Sequence, residues 1–198
     1  MEVKSIQLKK AKVLDYGVQL LMEKGYHASG IKEILAAVKI PKGSFYHYFD
    51  SKEQFAVEVI LHYIEPFITR LAAELNDSQK DGLQALKNYY ASLIRDVENN
   101  DFKGGCLLGN LMGEIGDTSD IGRKALLDAT SRYSHMQQEA LLRAQSQGSV
   151  RTDRSAQSMA DLLFNSWQGA LLRMKVEQSI EPLHAVCNDL LDDYFRAK

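Results

Sequence analysis

The run Pro41-Lys42-Gly43-Ser44-Phe45-Tyr46-His47-Tyr48-Phe49 gathers side chains suited to a polyanion. Lys42 can meet a phosphate or a guanine edge, Ser44 and His47 can meet base edges, and the hydroxyls of Tyr46 and Tyr48 can reach phosphates. Phe45 and Phe49 stand four residues apart, share one helical face and are assigned to the core. Gly43 lets the backbone approach a ligand closely. Lys52 opens the next helix and offers an ammonium to one phosphate. Tyr46 and Tyr48 suit equally well a cover over the seam between helices.

The other chemically distinctive residue is Cys106. It follows Gly104-Gly105 at the start of a helical stretch, where a helix N-terminus stabilises a thiolate and a nearby Lys would do so further. Lys103 is near in sequence; Lys175 serves only if the fold brings it close. A buried, inert thiol is the competing reading. Cys187 falls on an apolar helix face beside Val186 and Leu190 and is read as packing. His27, His62, His135 and His184 show no metal-ligand spacing, and no metal or cofactor is expected.

Helical periodicity that positions these residues runs nearly end to end. A first helix is expected over 4–24, with Ile6, Val13, Gly17 and Leu21 on one face and Gly25 as its stop. A short helix over 31–38 turns Ile31, Ile34, Leu35 and Val38 inward, with Ser29 as its cap. Pro41 then opens a third helix at its first position. Two short helices joined by a tight turn make a helix-turn-helix, whose second member enters a DNA major groove. Ser51 and Gln54 fit a capping box for a long fourth helix, in which Pro66 should make a kink. A loop is expected over 76–80. More helices follow, capped near Ser119 and stopped at Gly148; the last two cover about 153–177 and 181–196. The fold class is all-α, with no strand.

Among residues 1–52 there are nine Lys and five acids, a net +4, so the remainder carries −6 to reach the chain's −2. A basic first quarter on an acidic body points to a polyanionic partner, although a solvated Lys-rich face has the same composition. No apolar stretch is long enough for a membrane span, the N-terminal residues do not pattern as a secretory signal, and two Cys make no disulfide framework. A cytoplasmic protein is expected.

The stretch 31–38 followed by Pro41 through Lys52 resembles the glycine–hydroxyl–apolar–tyrosine pattern, closing on an aromatic, any residue, Ser and Lys, of TetR-type transcription regulators. Gly105-Cys106-Leu107 resembles the NemR- and AcuR-like branch of that family, whose repressors respond to electrophiles. The resemblance implies an N-terminal three-helix DNA-binding domain (1–52) and a larger helical effector-binding and dimerisation domain (53–198). It implies double-stranded operator DNA as partner, read by Lys42, Ser44, Tyr46 and His47, with Tyr48 and Lys52 on phosphates and Ser29 and Gly30 as minor backbone contacts. It implies a homodimer built on the last two helices, for which Met159, Leu163, Ser166, Ala170, Leu183, Val186 and Leu190 are the expected interface. It implies an effector site walled by Tyr90, Leu107, Leu111 and Trp167, with Cys106 as sensor and Lys175 a candidate beside it, and release either by a small-molecule inducer or by electrophile modification of Cys106. Each wall residue on its own is equally well ordinary core.

Two other classes remain open at this stage. An enzyme would use Cys106 as nucleophile, yet no His lies in a recognisable catalytic motif and no glycine-rich phosphate loop follows a strand. A helical scaffold that never meets DNA would leave the Lys42–Tyr48 surface without purpose.

Overall fold

A computed structural model of the chain describes residues 2–77 and 80–197, with side chains from residue 7 onward. Its helices are α1 (Glu2–Ala28), α2 (Ile31–Val38), α3 (Lys42–Tyr48), α4 (Lys52–Asn76), α5 (Gly82–Glu98), α6 (Leu107–Ile115), α7 (Asp120–Ser146), α8 (Ala156–Glu177) and α9 (Glu181–Val186). Among the described residues the only extended pairing is an isolated bridge between Val150 and Arg196. Ile6 and the middle of the expected loop 76–80 lie outside the described side chains and residues.

Two compact units form. The first takes residues 1–65 and 106–130; the second takes 66–105 and 131–198. The boundary expected at residue 52 falls inside the first unit, because the start of α4, all of α6 and the start of α7 belong with the N-terminal helices. Helices α4 and α7 therefore contribute to both.

In the first unit Phe45, Phe49 and Phe55 form a buried trio with ring centroids 5.0–5.5 Å apart. Each buried Phe stabilises by about 1.5–3 kcal/mol relative to exposure, which ties α3 to α4. Helix α1 closes over them at Gly17, where a β-carbon would stand 2.5 Å from Phe55 Cζ and 2.7 Å from Val59 Cγ2. Gly25 does interrupt α1, at φ 76°, but the chain resumes helical hydrogen bonding beyond this kink and runs to Ala28. Ser29 does not cap α2. Gly30 is the cap residue and offers no side chain, while Ser29 is fully buried and donates its Oγ–H to the Gly25 carbonyl at 2.6 Å. Pro41 lies just outside α3 at ψ 148° instead of in its first turn. At the start of α4, Ser51 Oγ accepts from the Gln54 N–H at 3.0 Å, as the spacing predicts.

In the second unit, α5 begins against α7 so closely that a β-carbon on Gly82 would meet the Ala140 carbonyl at 1.9 Å. Arg143 of α7 donates to the carbonyls of Leu75, at 2.6 Å, and Asp77, at 3.0 Å. The core centres on aromatic residues: Tyr90 packs against Trp167 at 4.7 Å and Tyr89 against Tyr133 at 6.1 Å. The expected final helix over 181–196 divides. After α9 the backbone widens into a π-helix over Cys187–Tyr194, and the bridge to Val150 follows.

Candidate nucleic-acid interface

Phe45 and Phe49 fix the orientation of α3. Because both are buried, Lys42, Gly43, Tyr46 and His47 face outward and are exposed, and Ser44 and Tyr48 are half-buried at the rim. The Lys42 ammonium lies 5.9 Å from the Tyr46 ring centroid, so the two share one outer patch. Gly43 and Gly30 are both exposed, and a β-carbon at either would meet nothing within 4 Å. The chain's own packing therefore does not demand glycine at these positions; close approach of an outside surface is a sufficient reason for it.

Two expected contacts are corrected. Ser29 is buried, its hydroxyl serves Gly25 and its N–H donates to the Tyr26 carbonyl, so neither group is available to a phosphate. The Lys52 ammonium donates to the Tyr26 carbonyl at 2.6 Å and sits 4.2 Å from the Tyr26 ring centroid. Burial pulls its pKa below the usual lysine value, with Glu114 acting in the opposite direction. Lys52 is thus a brace between α4 and the end of α1.

Sequence reasoning passed over two other cations. Lys32 on α2 and Lys39 in the turn before α3 are exposed. Lys39 holds a left-handed backbone, φ 52°, and closes α2 by donating its N–H to Leu35. Its position in the turn of a helix-turn-helix was the available signal.

Cys106 is half-buried and is the residue immediately before α6, with no capping hydrogen bond from its side chain. Gly104 and Gly105 before it take φ 86° and 79°. Lys175 packs its stem on Gly105, where a β-carbon would stand 2.6 Å from Lys175 Cε. Leu107 and Leu111 are fully buried on α6, which packs on α1 in the first unit; Tyr90 and Trp167 meet in the second.

The expected dimer face is also corrected. Met159, Leu163, Ala170 and Leu183 are at most 5% exposed within a single chain and have no area left to offer a second copy. Ser166, Val186 and Leu190 are half-buried. The outward stripe of α8 is instead Leu162, Asn165, Gly169, Leu172 and Val176, spaced alternately by three and four residues.

An all-helical chain that presents a helix-turn-helix with a cationic, hydroxyl-rich reading helix is a DNA-binding transcriptional regulator. Residues 13–59 match the family described as bacterial regulatory proteins of the tetR family, and residues 82–190 match the tetracyclin repressor-like C-terminal domain. The chain belongs to the TetR family of bacterial transcriptional regulators. It is 36% identical to the transcriptional repressor DhaR of Mycobacterium sp. strain GP1, over 86% of this chain and 84% of that protein. It is 34% identical to the transcriptional regulator AcuR of Cereibacter sphaeroides, over 85% and 77%. The solved structure of Escherichia coli NemR in its reduced form superposes with a TM-score of 0.84 at 27% identity, covering 96% of this chain and 98% of that one. These relatives are regulators, and among the described residues no helix is long and apolar enough to cross a membrane.

Proposed function

We propose that the protein is a repressor that grips operator DNA as a two-fold dimer and lets go when a small molecule acts on its helical body. Lys42, Ser44, Tyr46 and His47 read the major groove, and Gly30, Gly43 and Tyr48 set the backbone against phosphates. The observation that carries this reading is the outward face of α3, held by buried Phe45 and Phe49. Two such helices must stand about 34–36 Å apart to meet successive major grooves. The exposed α8 stripe, with Gly169 at its middle, is suited to a helix-on-helix interface with a second copy. DhaR and NemR are both named as repressors, which supports the sign of regulation.

Selection of bound fragments from the source genome tests the proposal. Retardation of a two-fold-symmetric fragment, and derepression of its promoter on deletion of the gene, is the expected result. Retention of no fragment at low salt would overturn it.

A second mode of release is favoured by the surroundings of Cys106. The thiol precedes α6 directly, two glycines of positive φ lead into it, and Lys175 lies against the preceding residue. The solved structure of the relative NemR is of its reduced form, which supports this reading. An electrophile attached to Cys106 would alter the start of α6 and, through that rigid helix, the first unit.

A further inference from the structure

The turn between α2 and α3 is closed by a residue whose backbone does not suit its side chain. Lys39 stands at φ 52°, ψ 42°, in the left-handed region. Its N–H donates to the Leu35 carbonyl, and the Ile40 N–H reaches the same oxygen at 3.3 Å. These two bonds end α2 and turn the chain toward α3, and an ending of this kind places its last residue in the left-handed region. Glycine adopts that conformation freely and asparagine tolerates it, whereas any other β-carbon crowds the following carbonyl. The fold favours glycine at position 39, and the chain carries lysine.

No partner among the described residues offsets that choice. Lys39 is exposed, and its ammonium has no ion pair, hydrogen bond or ring contact there. Gln178 provides the contrast. It ends α8 in the same conformation, φ 51°, ψ 41°, but its side chain turns back and donates to the Lys175 carbonyl at 2.7 Å. Other lysines of the first unit are committed: Lys10 pairs with Glu58 at 2.5 Å, Lys24 pairs with Glu33, and Lys52 donates to Tyr26. From Ile34 to Phe49 the sequence has no acid, so neither the turn nor α3 supplies a counter-charge to Lys39 or Lys42.

We propose that Lys39 is a DNA contact, its ammonium held by a backbone phosphate at the wall of the groove that α3 enters. In a helix-turn-helix the first helix crosses the phosphate backbone, and the N-terminal residues of the second meet base edges. Lys39 lies between the two, at the end of α2 and three residues before Lys42. A phosphate contact at that point fixes the register of α3 on the duplex without itself reading sequence. Binding then offsets the strain of a β-carbon at φ 52°. The inference rests on the operator-binding reading and adds to it a residue outside the recognition helix. A lysine also suits the negative end of α2; that local role requires no change in DNA affinity when the lysine is removed.

The test uses the full chain and a random-sequence DNA duplex, because phosphate contacts form on any sequence. Affinity is read by fluorescence anisotropy at several salt concentrations, and stability by the denaturant midpoint. Lys39→Gly is expected to raise the midpoint, since it relieves the backbone. It should also reduce the slope of log affinity against log salt by about 0.9 for each reading head engaged, a loss of roughly eight-fold per head at about 0.1 M salt. Lys39→Asn should lose the same slope. Lys39→Arg keeps the charge and should keep the wild-type slope. Affinity that falls while stability rises is the signature of a contact and not of a brace. An unchanged slope in Lys39→Gly and Lys39→Asn would overturn the contact, and a lowered midpoint beside it would assign Lys39 to the end of α2. A slope lost equally in Lys39→Arg would also overturn it, because the charge would not be what counts. If the wild-type chain fails to bind the duplex at low salt, the operator-binding reading falls and the Lys39 contact with it; if the wild type binds and the variants match it, only the Lys39 contact falls.

Discussion

The carboxylate of Glu114 accepts a 2.6 Å hydrogen bond from the backbone N–H of Tyr26, and the carbonyl of the same Tyr26 receives the Lys52 ammonium at 2.6 Å. An acid from α6 and a base from α4 thus hold one residue of α1 from both sides. The kink at Gly25 makes this necessary, because it interrupts the helical ladder and leaves the next N–H groups without their usual acceptors. His27 joins by donating its N–H to the same carboxylate at 3.3 Å, and its ring meets the Glu114 carbonyl at 3.0 Å. Gly25 leaves the space, since a β-carbon there would lie 2.6 Å from Glu114 Oε1.

Removing that carboxylate should loosen the base of the reading head. Glu114→Ala is expected to lower stability by about 1–3 kcal/mol, the usual range for a hydrogen bond to a charged group or a buried donor left unpaired. Glu114→Gln keeps an acceptor and should recover part of the loss. Denaturant midpoints of the three proteins decide. Equal midpoints would show that water replaces the carboxylate at no cost.

Lys42 and Lys52 should separate in their salt dependence. Lys42 is exposed on α3, so Lys42→Met should reduce the slope of log affinity against log salt by about 0.9, one phosphate's share. Lys52 is committed to Tyr26, so Lys52→Met should weaken binding with the slope unchanged. Titration of one operator fragment at several salt concentrations gives both numbers. A reduced slope for Lys52→Met would return that residue to the phosphate contacts.

Base reading is expected to rest on the outer positions of α3. Ser44→Ala and His47→Ala should each cost about 1–3 kcal/mol on the preferred operator and little on random DNA. Competition binding with the two kinds of fragment measures the difference. Full discrimination in both variants would place base reading elsewhere.

The reading head was legible in the sequence because its signals are local. Ser51 and Gln54 are three residues apart, Phe45 and Phe49 four, and both pairs meet within one or two turns. Ser29 misled because its hydroxyl is claimed by Gly25 behind it instead of by α2 ahead, a choice set by the kink. Lys52 misled because its partner lies 26 residues away in sequence. On α8 the sequence reading takes one apolar face for the interface, and the chain covers that face itself: Met159, Leu163 and Ala170 lie inward, and Leu162, Leu172 and Val176 outward. Hydrophobic spacing is the same for a core face and an interface face. At the end of the chain the spacing predicts one helix with Val186, Cys187 and Leu190 on an apolar face, but nothing in that spacing marks the widening to a π-helix over Cys187–Tyr194.

Assembly should follow the exposed stripe. Leu172→Glu with Val176→Glu is expected to give a folded monomer, because charge would enter a desolvated interface while the core stays untouched. Leu163→Arg should instead unfold the body, since Leu163 is fully buried. Light scattering should give twice the 22.3 kDa chain mass for the wild type and the single mass for the double variant. A wild-type mass of one chain at micromolar concentration would remove the dimer, and with it the two-fold operator.

The two cysteines should differ in reactivity and in consequence. Burial holds the Cys187 thiol at about 11, so near pH 8 very little thiolate forms there, and thiolate is the reactive species. Its raised value also sets a pH window for stability. Below the unfolded thiol's value of about 8.5 both states hold the proton and the contribution is intact; as pH rises through about 11 it is lost, because the unfolded chain ionises first. Cys187→Ser should flatten that alkaline loss. Cys106 is half-buried and immediately precedes α6, whose N-terminus favours a thiolate. Maleimide near pH 8 should therefore label Cys106 well ahead of Cys187, as peptide mass spectrometry can time. Labelled protein should release the operator, because an adduct at a close-packed helix start forces rearrangement. Cys106→Ser should bind DNA and ignore the reagent, and Cys187→Ser should behave as wild type. If Cys106→Ser still lets go on treatment, the responsive group lies elsewhere; if labelled wild type holds its operator, Cys106 is only part of the packing around α6.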